Sequence, residues 1–75
     1  MNIYKISQEE NYDWDTFDSA IVAADSAEEA KSMNPSGDGN DLRVWTTSDN
    51  VEVELIGVAI DGTKKGVICA SFNAG

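Results

Sequence analysis

Val51-Glu52-Val53-Glu54-Leu55 alternates apolar and acidic side chains without a break. A period of two belongs to a β-strand with one buried and one wet face. The alternation stops at Ile56-Gly57, and a glycine inside a strand often marks a bulge. The strand is therefore expected over Val51 to Ile60. Asp61-Gly62 opens a turn through Lys65, and Gly66 to Phe72 reads as a returning apolar strand. These two strands are expected to form a hairpin, and their apolar content to place it at the centre of a sheet.

The upstream half supplies the rest of an α+β pattern. Asn2 to Ser7 is rich in β-branched and aromatic residues and reads as a first strand. Ser19 to Ala24, centred on Ile21-Val22, reads as a second, well-buried one. Ser26-Ala27-Glu28-Glu29 is a capping box in which the Ser26 hydroxyl accepts from the Glu29 amide, with Asp25 and Glu28 as an alternative frame. Two acids in the first turn suit the positive end of the helix dipole. Ala27, Ala30 and Met33 form a narrow apolar stripe, and Pro35 stops the helix. Such a helix has about two to two and a half turns and must lean on a sheet. Leu42 to Thr47, carrying Trp45, is a candidate short strand, and Ser48-Asp49-Asn50 a turn. The expectation is one domain over 1–75: a small antiparallel sheet of four to five strands with one short helix packed on one face.

A chain of 75 residues buries roughly 60–65% of its unfolded surface, so its core is thin. Cys69 is the only cysteine and histidine is absent, which excludes an intrachain disulfide and, in practice, a structural zinc site. A lone thiol suits a reducing cytosol, a cytoplasmic setting, better than secretion. Met1 to Glu10 has one lysine and no apolar run, so it does not read as a signal peptide. No stretch is apolar enough for a membrane span.

Fourteen acids against five bases give −9 at pH 7. Such a chain repels phosphate, which argues against direct binding of nucleic acid or of an anionic membrane. It should associate instead, quickly and in a salt-dependent way, with a basic protein surface. Self-association as a homodimer is neither demanded nor forbidden.

The acids are uneven. Glu9, Glu10, Asp13, Asp15 and Asp18 share one segment with Tyr12, Trp14 and Phe17, and no base interrupts it. One reading is a recognition loop, with aromatic anchors and carboxylates for a partner's arginines and lysines. The plainer reading is a solvated loop pinned to the core by Tyr12 or Phe17. Glu52 and Glu54 would extend the acidic field on the wet face of their strand. The same spacing could serve acid/base chemistry, but an alternating strand more often shows such a pair to solvent. Counting an EF-hand from Asp13 puts Phe17 at position 5 and Asp18 at position 6, which fails the ligand pattern. Asp38, Asn40 and Asp41 fail it too, leaving at most an adventitious divalent-cation site. Cys69 lacks a histidine base and sits between Ile68 and Ala70, so it reads as a core residue rather than a nucleophile. No cofactor motif or phosphate loop is present. Most common enzyme chemistries are thereby removed, and a non-enzymatic binding role is left.

Tyr12-Asp13, Asp18-Ser19-Ala20, Glu28-Glu29-Ala30, Pro35, Trp45, Val51 to Gly57 and the ending Gly66 to Gly75 together resemble a family of short, uncharacterised proteins of bacteria and their phages. Members often carry a histidine before the proline, where this chain has Asn34. The resemblance implies small size and a phage or prophage context. In size and acidity the chain is also similar to phage inhibitors of host systems, such as anti-CRISPR proteins and DNA mimics. The leading expectation is an inhibitor whose Glu9, Glu10, Tyr12, Asp13, Trp14, Asp15, Asp18, Glu52 and Glu54 engage a nucleic-acid-binding enzyme of the host. The alternative is a structural or accessory domain that assembles with itself or with a larger protein.

Overall fold

The computed structural model describes residues 1–10, 15–37 and 42–73. Among them are four strands, β1 (Asn2–Ser7), β2 (Thr16–Ala24), β3 (Glu52–Val58) and β4 (Gly66–Asn73), and one short helix, α1 (Ala27–Lys31). A single 3-10 turn, Ser48–Asn50, leads into β3. The strands form one sheet in the order β3-β1-β2-β4, and every neighbouring pair is antiparallel.

The order overturns the expected hairpin. β3 and β4 are the two edges of the sheet, not its centre. Val58 lies beside Asn2, and Gly66 beside Ala23, so residues 59–65 cross the ends of both central strands. The crossing spans three strand spacings, about 14 Å, well within the reach of seven residues at about 3.3 Å each. Ala59 donates to the Met1 carbonyl at 3.0 Å on the way. The chain then turns at Ile60–Thr63, where Gly62 has a φ of +91° and the Thr63 hydroxyl donates to the Ile60 carbonyl at 2.7 Å.

Other expectations fare unevenly. The bulge at Ile56-Gly57 is present: Tyr4 pairs with Leu55 and Ile3 with Gly57, which leaves Ile56 without an opposite residue. The Ser26 cap forms, its hydroxyl accepting from the Glu29 amide at 3.2 Å. Glu29 reaches back to the Asp25 amide, at 2.9 Å. The helix stops at Lys31, short of Pro35. Its last turn tightens, with the Met33 amide donating to the Ala30 carbonyl. Asn34 then leaves the helix to fold Pro35 into a turn. Its side-chain oxygen accepts from the Ser36 amide at 2.9 Å and the Ser36 hydroxyl at 2.8 Å. Leu42 to Thr47 is not a strand. It is a run of turns and bends that buries Trp45, at 2% exposure.

Register sorts the side chains into two faces. Val53–Ile6–Ala20–Ala70 and Leu55–Tyr4–Val22–Val67 form rows on one face. Tyr4, Ile6, Ala20 and Val22 join Ala24, Ala30, Trp45 and Val51 in the buried core, with Phe17, Met33 and Val53 packed against it. Fully burying a side chain such as Ile6 or Val22 contributes about 1.5–3 kcal/mol. Glu52–Ser7–Ser19–Ser71 and Glu54–Lys5–Ile21–Cys69 form rows on the opposite face. Cys69 is thus exposed rather than a core residue: β4 is covered by a neighbour on one side only.

Candidate acidic interface

The acidic residues gather at one end of the sheet. β1 ends at Ser7, which lies between Glu52 of β3 and Ser19 of β2. Glu9 and Glu10 follow β1 at this end, and Asp15 and Asp18 flank the start of β2. Asp49 stands in the turn just before Glu52. All six of these carboxylate side chains, and Glu54 one row in, belong to exposed residues.

Gln8 sets the neck of this region. It is 4% exposed, its amide donates to the Asp18 carbonyl at 3.2 Å, and its side-chain nitrogen donates to the Phe17 carbonyl at 2.9 Å. A buried side-chain amide with its hydrogen bonds made fixes the two sides of the neck together. β2 starts at Thr16, three residues before the expected Ser19, so Phe17 and Asp18 are strand residues rather than loop. Phe17 packs against the core and meets Phe72 edge-on, with ring centroids 4.8 Å apart. That is the pinning role of the plainer reading. The Asp15 amide donates to the Asn73 carbonyl at 2.6 Å, and Asp15 adopts a φ of +63°. Aspartate tolerates this left-handed conformation better than most residues. Tyr12, Asp13 and Trp14, the other sequence-expected members, lie outside the described residues, as do Asp38, Asn40 and Asp41.

Two cations enter the neighbourhood. Lys5 stands opposite Glu54 in the register, and Arg43 precedes Val44, whose carbonyl accepts from the Phe17 amide at 2.8 Å. Sequence reasoning missed Gln8, because nothing in a sequence separates a buried glutamine from an exposed one. It also missed Asp49, whose signal was its place three residues before Glu52.

The opposite end holds acids of a different kind. Lys65 Nζ lies 2.9 Å from Asp25 Oδ2 and 3.0 Å from Glu29 Oε2. The Lys65 hydrogen bond holds the Asp25 carboxyl below its ordinary range. The Asp25 backbone N–H, then Lys65, does the same for Glu29. Both partners in turn raise Lys65.

Among the described residues, the concavities add no reactive constellation. Among the described residues, the depression lined by Met33, Asn34, Leu42, Trp45, Thr47 and their neighbours has no titratable side chain. A groove on the wet face joins Lys5, Ser7, Glu52 and Glu54. Among the described residues, no three His, Cys, Asp or Glu side chains are placed to hold a metal ion. No helix among them is long and apolar enough to cross a membrane. Comparison with protein-family models, with curated proteins and with solved structures finds no match to this chain.

Proposed function

We propose that the protein works by binding, not catalysis, and that its acidic end engages a basic surface of a partner, most concretely a nucleic-acid-binding enzyme of a phage host. In this reading α1 and the Trp45 segment cover the apolar face, and the acids at the Ser7 end form the contact. The observation that carries the reading is the convergence of Glu9, Glu10, Asp15, Asp18 and Glu52, all exposed, on one end of the sheet. Carboxylates set on a rigid sheet can occupy positions where a nucleic-acid-binding surface receives phosphates. Such a contact steers association and weakens with salt. The left-handed Asp15 backbone fits this reading, since strained conformations tend to occur at working sites.

The test is retention of nucleic-acid-binding proteins from a bacterial extract on the immobilised protein. Retention should fall along a salt gradient, yield to competing duplex DNA, and be lost in the variant Asp15→Asn, Asp18→Asn, Glu52→Gln, Glu54→Gln. Asparagine accepts the left-handed backbone of Asp15, so the variant should keep its fold. Retention that ignores salt, DNA and the four substitutions sinks the proposal.

A further inference from the structure

β4 is an edge strand inside the longest uncharged run of the chain, Gly66 to Gly75. Val67, Ile68 and Phe72 on it are 40%, 52% and 46% exposed. Natural sheets guard their edges with charges, prolines or bulges, because an open edge pairs with another strand. β3 follows the rule: it carries exposed Glu52 and Glu54 and a bulge at Ile56. β4 carries no charged residue and no proline. Like β3 it has a bulge, at Ile68, beyond which Cys69–Ala70–Ser71 runs regularly against Ile21–Ala20–Ser19, so the two edges differ in charge rather than in regularity.

We propose that β4 is a self-association edge, on which a second copy of this chain pairs β4 to β4, antiparallel, about a two-fold axis. Charge selects both the occupant and the orientation. A chain of net charge −9 repels its own copy over a distance of about 8 Å at physiological salt, so a contact between copies needs an uncharged strip. β4 is such a strip. Its two ends are complementary. Exposed Lys64 leads into this strand, next to Lys65, which is already closed on Asp25 and Glu29, while Asp15 is bonded to Asn73 at the far end and Asp18 stands beside Phe72 and Ser71. Antiparallel pairing brings the lysine end of each copy to the aspartate end of the other, twice by symmetry. Parallel pairing would set lysine against lysine and acid against acid. Two four-stranded sheets then join into one, and Ile68 and Val67 leave water.

Sedimentation equilibrium at increasing concentration tests this. The wild-type chain should approach about 16 kDa, twice its 8.1 kDa. Ile68→Lys and, separately, Ser71→Lys should each weaken association by about tenfold or more, since lysine on an edge blocks pairing. Lys64→Glu should weaken it too, whereas Leu55→Lys on β3 should leave it unchanged. Ser71 is polar and exposed, so Ser71→Lys keeps the test open if Ile68→Lys does not fold, as circular dichroism will show. Amide exchange within 66–73 should slow as concentration rises. A monomer at every concentration overturns the proposal, and so does a dimer that survives both β4 lysines. Glu52→Gln with Glu54→Gln, on the far edge, should reduce partner retention but not dimerisation, which separates this inference from the binding role.

Discussion

The two ends of the sheet use acidic residues in opposite ways. At the Asn2–Ala24 end, Asp25 and Glu29 close on Lys65 and so tie the crossing segment to the helix start. At the Ser7 end, the exposed acids surround a neck held by Gln8 and by apolar burial: Phe17 on the core, and Trp45 next to the Val44 carbonyl that receives the Phe17 amide. One end spends its charges on its own fold. At the other, Gln8 and Phe17 hold the neck, and the acidic residues around it are exposed. Composition alone cannot separate these uses, because the acids are the same residue types in both places.

The comparison breaks most visibly at Trp45. It is among the largest fully buried side chains, and removing it leaves a cavity. Trp45→Ala should cost about 3–5 kcal/mol, a large share of the total stability of a small domain, about 5–15 kcal/mol. Urea denaturation followed by far-ultraviolet circular dichroism reads this directly. A loss under about 1 kcal/mol would mean that the acidic end is not anchored through the core.

The capped end should respond more mildly. Ser26→Ala removes the acceptor of the Glu29 amide and should cost about 1 kcal/mol by the same measurement. Ser26→Asp should restore most of it, because aspartate is an equal cap. If Ser26→Ala has no effect, the Glu29 contact to the Asp25 amide carries the helix start without the serine.

These features differ in how far the sequence announced them. The Ser26-x-x-Glu29 box and the Ile56-Gly57 bulge were legible because each is a local rule obeyed locally. The four strands were legible in kind from β-branched content and alternation. Strand order was not, since the seven residues between β3 and β4 can close a hairpin or cross a sheet equally well. That one ambiguity misplaced Cys69, whose apolar neighbours suggested a centre strand and whose edge position exposes it. Trp45 showed a strand-like neighbourhood, yet its burial comes from a tertiary contact. The acids at Glu9 to Asp18 were visible as a cluster. Their meeting with Glu52 required the register of β1 with β3, which links positions more than forty residues apart.

The smallest effect separates the two ends most cleanly, because it depends on pH. Asp25 and Glu29 have carboxyls held below their usual 3.8 and 4.5. A carboxyl lowered on folding stabilises the fold fully above its ordinary value, and that contribution fades as pH falls through the lowered one. Lys65, raised above 10.5, contributes below that pH and loses its part as pH climbs past it. The cluster is therefore complete between about pH 5 and pH 10 and dissolves on the acid side. Lowering the pH also relieves the self-repulsion of the −9 chain, so the wild-type curve by itself mixes two trends. The difference between wild type and Lys65→Met isolates the cluster. The variant should have a lower urea midpoint at pH 7, by the small amount typical of exposed ion pairs, and the two midpoints should draw together as the pH falls below the ordinary carboxyl values of 3.8 and 4.5. A gap that stays constant well below pH 3.8 would show that Lys65 holds the crossing segment by packing its stem rather than through its two carboxylate partners.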